Sequence, residues 1–272
     1  MKNSLLIYSV FLLLVTASCG ASKQSGQPSN PGMVKAPEII GSRISRQLYS
    51  KDKLDSVEST VTYEFFTAPK FPWQDTVNKV VGDFFWQSMQ FESGPYVYQP
   101  LTHDFFYERL KVFGQMSDEQ NSESEYPMIW SYDGSDSIDL SLRNYAQLNI
   151  GAYIFSGGAH PNGFSYTLLI SKATGETLKF EDLTTDSVQF NRIAEKYFRQ
   201  LAELGPQDDL EAAGFWFEGN VFSCNDNFSV DRENITFFYN SYEIAPYAWG
   251  PTELKIPLAE VKHLLAVDLS FN

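Results

Sequence analysis

The sequence has few of the residues on which most catalytic and metal sites depend. Its 272 residues include three histidines and two cysteines. It contains no His-x-x-x-His pair, no glycine-rich phosphate loop and no Gly-x-Ser-x-Gly elbow, so neither a metal site nor an activated nucleophile is indicated. We therefore predict no metal, no cofactor and no catalytic residue. Cys224 has no second cysteine nearby and is expected to be a small buried side chain.

Positive charge is also scarce. Twenty lysines and arginines stand against 34 aspartates and glutamates, which gives a net charge of −14. Nucleic acids and anionic lipids bind through basic patches, so the charge argues against both as partners. A basic protein is compatible with an acidic surface, and so is simple solubility.

The N-terminus reads as an export signal. Lys2 precedes an apolar run over residues 5–15 that is too short for a helix to span a bilayer, which takes about 20 residues. The small residues Thr16-Ala17-Ser18 precede Cys19 as in a lipobox, although Thr16 stands where leucine is usual. We expect residues 1–18 to be a lipoprotein signal peptide and Cys19 to be lipidated. An ordinary signal peptide cut nearby is the alternative.

The next segment indicates a tether and a location. Residues 20–37 are rich in Ser, Gly, Gln and Pro, so we predict a flexible tether over residues 19–49. Cys19 is not directly followed by Asp, and no acidic cluster precedes Glu38. By lipoprotein sorting rules we expect an extracytoplasmic protein, held by its lipid on the outer membrane and facing the periplasm.

The full sequence is rich in aromatics, at 15% with 22 Phe and 15 Tyr, as expected of a sheet-rich core. Asp133-Gly134 predicts a hairpin turn, and Gly114 predicts the end of a helix. Strand-like alternation and helical spacing are mixed without a βαβ repeat, which predicts an α+β fold of antiparallel sheets and packed helices. We place two adjoining lobes at residues 50–160 and 161–272.

One candidate site is the loop between two predicted strands, residues 155–163. Gly157 and Gly158 permit positive φ and close approach of a ligand, and they precede His160 and Asn162. These four residues are candidate ligand contacts. Two other interpretations stay open: a plain hairpin connection in which His160 satisfies backbone groups, and acid–base catalysis by His160.

A second candidate is the segment 239–251, which combines aromatics, prolines and a glycine without a regular period. Such a loop is costly unless its rings are buried or bind something. We expect Tyr242 and Ile244 to pack in the core, and Tyr247 and Trp249 to form a contact surface.

These segments carry a resemblance to a known family. Residues 156–162 (Ser-Gly-Gly-Ala-His-Pro-Asn), Thr174-Gly175-Glu176, Glu181-Asp182-Leu183 and residues 242–247 (Tyr-Glu-Ile-Ala-Pro-Tyr) resemble the RsiV-type extracytoplasmic domain. The resemblance covers about residues 50–268. It implies two adjoining domains of unknown function, found in an anti-sigma factor that binds lysozyme and beside a peptidoglycan deacetylase. Neither a sigma-binding segment nor a deacetylase domain is evident in this sequence.

The leading hypothesis is therefore a lipid-anchored binding protein of the cell envelope, with a glycan or a basic protein such as lysozyme as its ligand. A periplasmic hydrolase of envelope glycan, in which His160 pairs with Glu243 or Asp182, is the first alternative. A purely structural lipoprotein is the second.

Overall fold

In the part of the chain that the structure describes, the helices pack on two β-sheets, one of five strands and one of three. The computed structural model describes residues 38–50, 53, 55–89, 96–124 and 128–272. The predicted signal peptide, Cys19 and residues 20–37 of the tether lie outside the described residues. Within the described part, the predicted α+β class with antiparallel-rich sheets and packed helices is confirmed.

The first sheet has the strand order β1-β2-β3-β4-β5. The β2–β3 pair is parallel, and the other neighbours are antiparallel. Two helices, α1 and α2, connect β2 to β3. A parallel pair needs such a crossover because a tight turn cannot return the chain in the same direction. The strands are β1 (Glu38–Tyr49), β2 (Ser56–Thr67), β3 (Ser131–Asp139), β4 (Tyr145–Phe155) and β5 (Asn162–Ser171).

Helices α1 (Pro72–Ser88) and α2 (His103–Glu123) cover one face of this sheet. That face is apolar because alternate residues of the strands, such as Val61 and Tyr63 of β2, point toward the helices and are buried. The ring of Tyr63 stacks on Phe106 of α2 with centroids 3.8 Å apart. No helix among the described residues covers the opposite face of the sheet over β3–β5, and this face becomes part of the site described below.

The second sheet comprises β6 (Phe228–Val230), β7 (Asn234–Tyr239) and β8 (Thr252–Pro257), all antiparallel. Helix α4 (Ser187–Leu201) packs on β8, with the short helices α3 (Phe180–Leu183) and α5 (Leu258–Val261) beside it. Asp186 caps α4 by accepting a hydrogen bond from Gln189 N, as its position before an amphipathic run predicts. Phe190 of α4 packs edge-on against Phe237 of β7 in a second core.

Side-chain amides join the second sheet to the edge of the first. Asn227 Oδ1 accepts a hydrogen bond from Thr167 N at 2.8 Å, and Asn227 Nδ2 donates to Ser165 O at 2.8 Å. Asn240 Oδ1 accepts from Ser165 N at 2.7 Å. These two asparagines occupy the positions in which a further strand would pair with β5. The backbone groups of Ser165 and Thr167 at this edge of β5, which would otherwise be unpaired, are thereby hydrogen-bonded.

Two local predictions are wrong. Asp133-Gly134 is not a turn but lies inside β3, where a Cβ at Gly134 would be 2.5 Å from Cε1 of the buried Tyr132 ring. The glycine therefore makes room for the ring. Helix α2 continues past Gly114 to Glu123, because Gly114 lies against Leu48 of β1 and needs no side chain there.

The predicted boundaries also need correction. Strand β1 lies inside the range 19–49 that was predicted as a tether, and it pairs with β2 along its whole length. The boundary at 160/161 separates β4 from β5, which are hydrogen-bonded neighbours in one sheet. The change from the first core to the second falls after β5, near residue 171. No helix in the described part of the chain is long and apolar enough to cross a membrane.

Candidate functional site

The open face of the first sheet forms the floor of a cleft of about 530 Å³, here called the sheet cleft. Its floor consists of two rows of residues that are register partners across β3, β4 and β5. The outer row is Asp133, Tyr153 and Gly163, and the inner row is Ser135, Gly151 and Ser165. The wall comes from the second lobe and includes Phe238, Asn240, Tyr247, Gly250 and Pro251.

Tyr153 is the largest side chain of this floor. It pairs across the strands with Gly163, and a Cβ at Gly163 would lie 3.1 Å from Cδ2 of the Tyr153 ring. The ring therefore lies over the glycine, while 53% of Tyr153 remains exposed. A side chain at position 163 would displace it. The result is an aromatic face held in place by the sheet and open to the cleft.

The rest of the floor is small and polar. Asp133 Oδ1 accepts a hydrogen bond from Thr60 Oγ1 at 2.7 Å, which fixes the carboxylate at the edge of the cleft. A carboxylate has about four acceptor positions, so Asp133 retains capacity for further donors. At Gly151 a Cβ would lie 2.9 Å from Phe164 O, so glycine keeps the backbone of β4 and β5 close together there.

A cluster of His160, Tyr242 and Tyr247, here called the aromatic triad, closes one end of the site. The rings of His160 and Tyr247 stack with centroids 3.8 Å apart, and Tyr247 Oη donates to Pro161 O at 2.8 Å. His160 Nδ1 lies 3.1 Å from the same carbonyl, and Nε2 lies 3.3 Å from Tyr242 Oη. Because a carbonyl only accepts, Nδ1 is the donor and in the neutral ring Nε2 accepts from Tyr242. The triad ties the β4–β5 loop to the segment between β7 and β8.

The predicted site residues are only partly brought together. Gly157 and Gly158 both have positive φ, 93° and 97°, as their pairing in the loop predicted, and Asn162 is exposed at the start of β5. Trp249 is exposed and packs edge-on against Phe215, away from the sheet cleft. Tyr247 is the one predicted contact among the described residues that line that cleft. The ligand roles of all six residues stay predictions.

Tyr242 differs from expectation. It was predicted to pack in the core with Ile244, which is indeed buried, but Tyr242 is 50% exposed with φ of 67°. Its exposed ring instead contacts His160 and Tyr247 in the aromatic triad.

A second cleft of about 510 Å³ lies on the other side of the Asn240-Ser241 ridge and is here called the asparagine cleft. Hydrogen bonds within this cleft fix the carboxylate of Glu243. Asn225 Nδ2 donates to Glu243 Oε1 at 2.7 Å, and Asn240 N donates to Glu243 Oε2 at 2.8 Å. Asp226 Oδ1 accepts from Phe180 N. The lining consists of Tyr166, Thr167, Leu168, Asn225, Asp226, Asn227, Asn240, Ser241, Tyr242 and Glu243.

The predicted pairing of His160 with a carboxylate is not formed. Both ring nitrogens of His160 contact Pro161 or Tyr242, and Glu243 is bound to two asparagines. Asp182 belongs to α3, in the second lobe. In the described part of the chain, no three His, Cys, Asp or Glu side chains converge as a metal site requires.

Among the described residues, four buried groups have strongly raised pKa values, Tyr132, Asp136, Cys224 and Tyr239, and none of them lines either cleft. Burial raises the pKa of Asp136 well above its ordinary value, although Asp136 Oδ2 accepts a hydrogen bond from Glu64 N. Burial likewise raises the pKa of the Cys224 thiol, as expected for a structural cysteine. None of these groups is placed to act on a ligand in the clefts.

One family model matches part of the second lobe. Residues 181–259 match the family model DUF3298, described as a protein of unknown function. The match runs from α3 into α5 and includes the wall of the sheet cleft, while the floor lies outside it. The sequence resemblance predicted a domain of unknown function, and this prediction is confirmed. Its lysozyme-binding and deacetylase-linked details stay predictions.

Solved structures extend the likeness to most of the chain. A DUF3298 family member from Bacteroides fragilis is similar with a TM-score of 0.64 and 20% identity, over 85% of this chain and 94% of the other. A DUF3298 family protein from Pseudomonas aeruginosa gives a TM-score of 0.58 and 14% identity, over 89% and 100%. At these identities the likeness shows the fold alone. No curated protein matches.

Sequence reasoning missed Tyr153, Asp133 and Asn240 as residues of the site. Tyr153 was predictable as outward-facing, because Leu148, Ile150 and Ala152 alternate with it as core residues. The hairpin register then places Gly163 opposite. The register of the β3–β4 hairpin places Asp133 opposite Tyr153, but Asp133 was assigned to a turn, so its place in this row was not predicted.

Proposed function

We propose that this chain is a lipid-anchored binding module of the bacterial cell envelope whose sheet cleft holds a segment of envelope glycan. The observation that carries the proposal is the exposed ring of Tyr153, held over Gly163 in a cleft with a small, polar floor. Sugars present a C–H face that packs on aromatic rings and a rim of hydroxyls that bind short polar side chains.

The remaining chemistry of the cleft fits a neutral polar ligand. Asp133 and Ser135 lie beside Tyr153 on the floor and offer acceptors to sugar hydroxyls, while Phe238 and Pro251 supply apolar wall. A net charge of −14 disfavours polyanionic ligands. His160 takes no acid–base role in this proposal, because both of its ring nitrogens serve the aromatic triad.

The test uses purified peptidoglycan sacculi as the probe in a sedimentation assay with the mature protein. We expect the wild type to co-sediment and Tyr153→Ala to lose most of the binding. Tyr107→Ala is the matched control, because Tyr107 is equally exposed on α2, on the opposite face of the sheet. If Tyr153→Ala binds sacculi like the wild type, the sheet cleft is not the glycan site.

A basic protein such as lysozyme is a second candidate, supported by the net charge of −14 and by the RsiV-type resemblance. Electrostatic association of this kind weakens with salt. Titration with lysozyme at low and high ionic strength separates the two candidates. Binding that vanishes at high salt and ignores Tyr153→Ala supports the protein partner, while salt-tolerant binding of sacculi supports the glycan.

The anchor belongs to the same proposal. Cys19 would carry the lipid after cleavage behind residue 18, and the protein would face the periplasm from the outer membrane. Metabolic labelling with an alkyne fatty acid tests this: the label is expected on the wild type and absent from Cys19→Ser. Labelling of Cys19→Ser, or none on the wild type, would contradict the anchor.

A further inference from the structure

A third cleft, of about 490 Å³, lies between helix α1 and strand β5 and is here called the helix cleft. It lies on the face of the sheet opposite the sheet cleft, because Phe164, Tyr166 and Leu168 alternate along β5 and point to the side of α1. Tyr166 and Leu168 also line the asparagine cleft, so these two clefts adjoin along β5. The lining of the helix cleft is Val80, Asp83, Phe84, Gln87, Ser88, Ile150, Phe164, Tyr166 and Leu168.

The floor that the helix cleft and the asparagine cleft share is apolar. Phe84 of α1 packs edge-on against Phe164 with ring centroids 5.8 Å apart, and both rings are only partly buried. Tyr166 follows on the same face of β5 and is 41% exposed. From Phe164 to Leu168 this row is about 13 Å long, at about 3.3 Å per residue of strand. A row of partly exposed apolar side chains in a groove can accept the apolar side chains of a partner.

Carboxylates lie on both sides of this floor. Asp83 lies on α1, and Asp226 and Glu243 lie in the second lobe. The hydrogen bonds to these carboxylates come from neutral donors: Gln87 Nε2 donates to Asp83 Oδ1 at 2.9 Å, and the donors to Asp226 and Glu243 are the amide groups described above. Among the described residues that line the two clefts there is no lysine or arginine. The charge of the three carboxylates is therefore not compensated by a cation of the lining.

We propose that the helix cleft and the asparagine cleft together bind a cationic amphipathic peptide segment of a partner protein. Its apolar side chains pack on the row along β5, and its lysines or arginines pair with Asp83 on one side and with Asp226 and Glu243 on the other. An anionic ligand would be repelled, and a neutral one would leave the carboxylates unpaired. Because this surface lies on the other face of the sheet from the sheet cleft, the inference does not rest on the glycan proposed for that cleft.

The test is fluorescence anisotropy with the purified Cys19→Ser protein, in which no lipid on residue 19 can adsorb the probe. The probe is a labelled amphipathic peptide of leucine and lysine of about 14 residues, which is about 21 Å long as a helix. We expect saturable binding at low ionic strength. A leucine–glutamate peptide of the same pattern should bind at least about 100-fold more weakly, because its charges face like charges. A leucine–lysine peptide in scrambled order keeps the charge but has no apolar face, and it should bind about tenfold more weakly.

Variants of Tyr166 locate the apolar contact. Tyr166→Ala should weaken binding of the leucine–lysine peptide about tenfold, since one aromatic contact is removed. Tyr166→Phe keeps the ring and should bind like the wild type, which separates loss of the contact from loss of the fold. Tyr107→Ala is the matched control, because Tyr107 is an exposed tyrosine of α2, which packs on β1 and β2 and not on β5.

A second pair of variants locates the charge contact. Asp83→Asn combined with Asp226→Asn should weaken binding about tenfold at low salt and much less at high salt, because salt screens the attraction. Asp118→Asn combined with Glu119→Gln removes the same charge from an exposed part of α2. This control should stay within about twofold of the wild type, because attraction by the net charge alone is weak and screened.

Three outcomes would overturn the inference. The first is the absence of saturable binding by the leucine–lysine peptide. The second is equal binding of that peptide and either its glutamate or its scrambled counterpart, which would show that no groove with both an apolar floor and acidic sides is involved. The third is wild-type affinity in Tyr166→Ala and in the Asp83→Asn, Asp226→Asn variant, which would place the peptide elsewhere on the protein.

Discussion

Removal of the side-chain amide of Asn227 is expected to cause a large decrease in the free energy of unfolding. Asn227 is 7% exposed and makes two hydrogen bonds of 2.8 Å to the edge of β5. Truncation in Asn227→Ala leaves the N–H of Thr167 without its acceptor and leaves Ser165 O only the longer contact with Asn240 Nδ2, at 3.2 Å. A buried unsatisfied group costs about 1–3 kcal/mol, so we expect the free energy of unfolding to fall by about 2–4 kcal/mol.

The assay is urea denaturation of the purified protein, followed by tryptophan fluorescence and far-UV circular dichroism. Because Asn227 joins the two sheets, the two signals should also cease to coincide in the variant. Asn227→Asp keeps the acceptor for Thr167 but places an oxygen opposite Ser165 O, so it should be at least as destabilising. Asn162→Ala, at an exposed position of the same strand, should change stability by less than about 0.5 kcal/mol. A decrease in the free energy of unfolding of less than about 0.5 kcal/mol for Asn227→Ala would refute the reasoning.

Three further predictions concern the core. Burial raises the carboxyl pKa of Asp136, so its contribution to stability is complete below the unfolded pKa of about 4 and is lost as pH rises through the folded pKa. Urea titrations from pH 4 to 8 should therefore show that the free energy of unfolding of Asp136→Asn increases relative to that of the wild type as pH rises. Gly134→Ala drives a Cβ into the buried Tyr132 ring and should cost about 1–3 kcal/mol, measured as a lower Tm; an unchanged Tm would contradict that close contact. In a Cys19→Ser background, the buried Cys224 should react with a thiol reagent only after urea is added, and rapid labelling of the native protein would show the thiol to be accessible.

Much of the fold could be predicted because its information is local. Alternation in β2, β4 and β5 and the Asp186 cap of α4 were legible from neighbouring residues. The prediction of a turn at Asp133-Gly134 was wrong because the same dipeptide can form a turn or can lie in a strand whose glycine makes room for a ring. Pairing with β2 favours the strand here, since Thr60 and Asp133 are partners 73 residues apart.

The candidate site was less predictable for the same reason. His160 and Tyr247 stand out in the sequence, and the structure stacks them on one another. Tyr153 gains its role only from Gly163 across the hairpin, and Asn240 only from the backbone of β5. The pairing of Tyr153 with Gly163 could be predicted from the hairpin, whereas Asn240 carries no local mark of its position, because its partner Ser165 lies 75 residues away.

The parallel pairing of β2 with β3 also has a kinetic consequence. A chain synthesised from its N-terminus presents the β1–β2 hairpin long before β3 is available to pair with it, and both helices of the crossover must be made in between. During that interval the aromatic face that α1 and α2 later cover is exposed to neighbouring chains. Closing so long a loop is slow relative to local contacts. The first sheet is therefore expected to limit the rate of folding, and its unfinished state is the form of this protein most prone to aggregate.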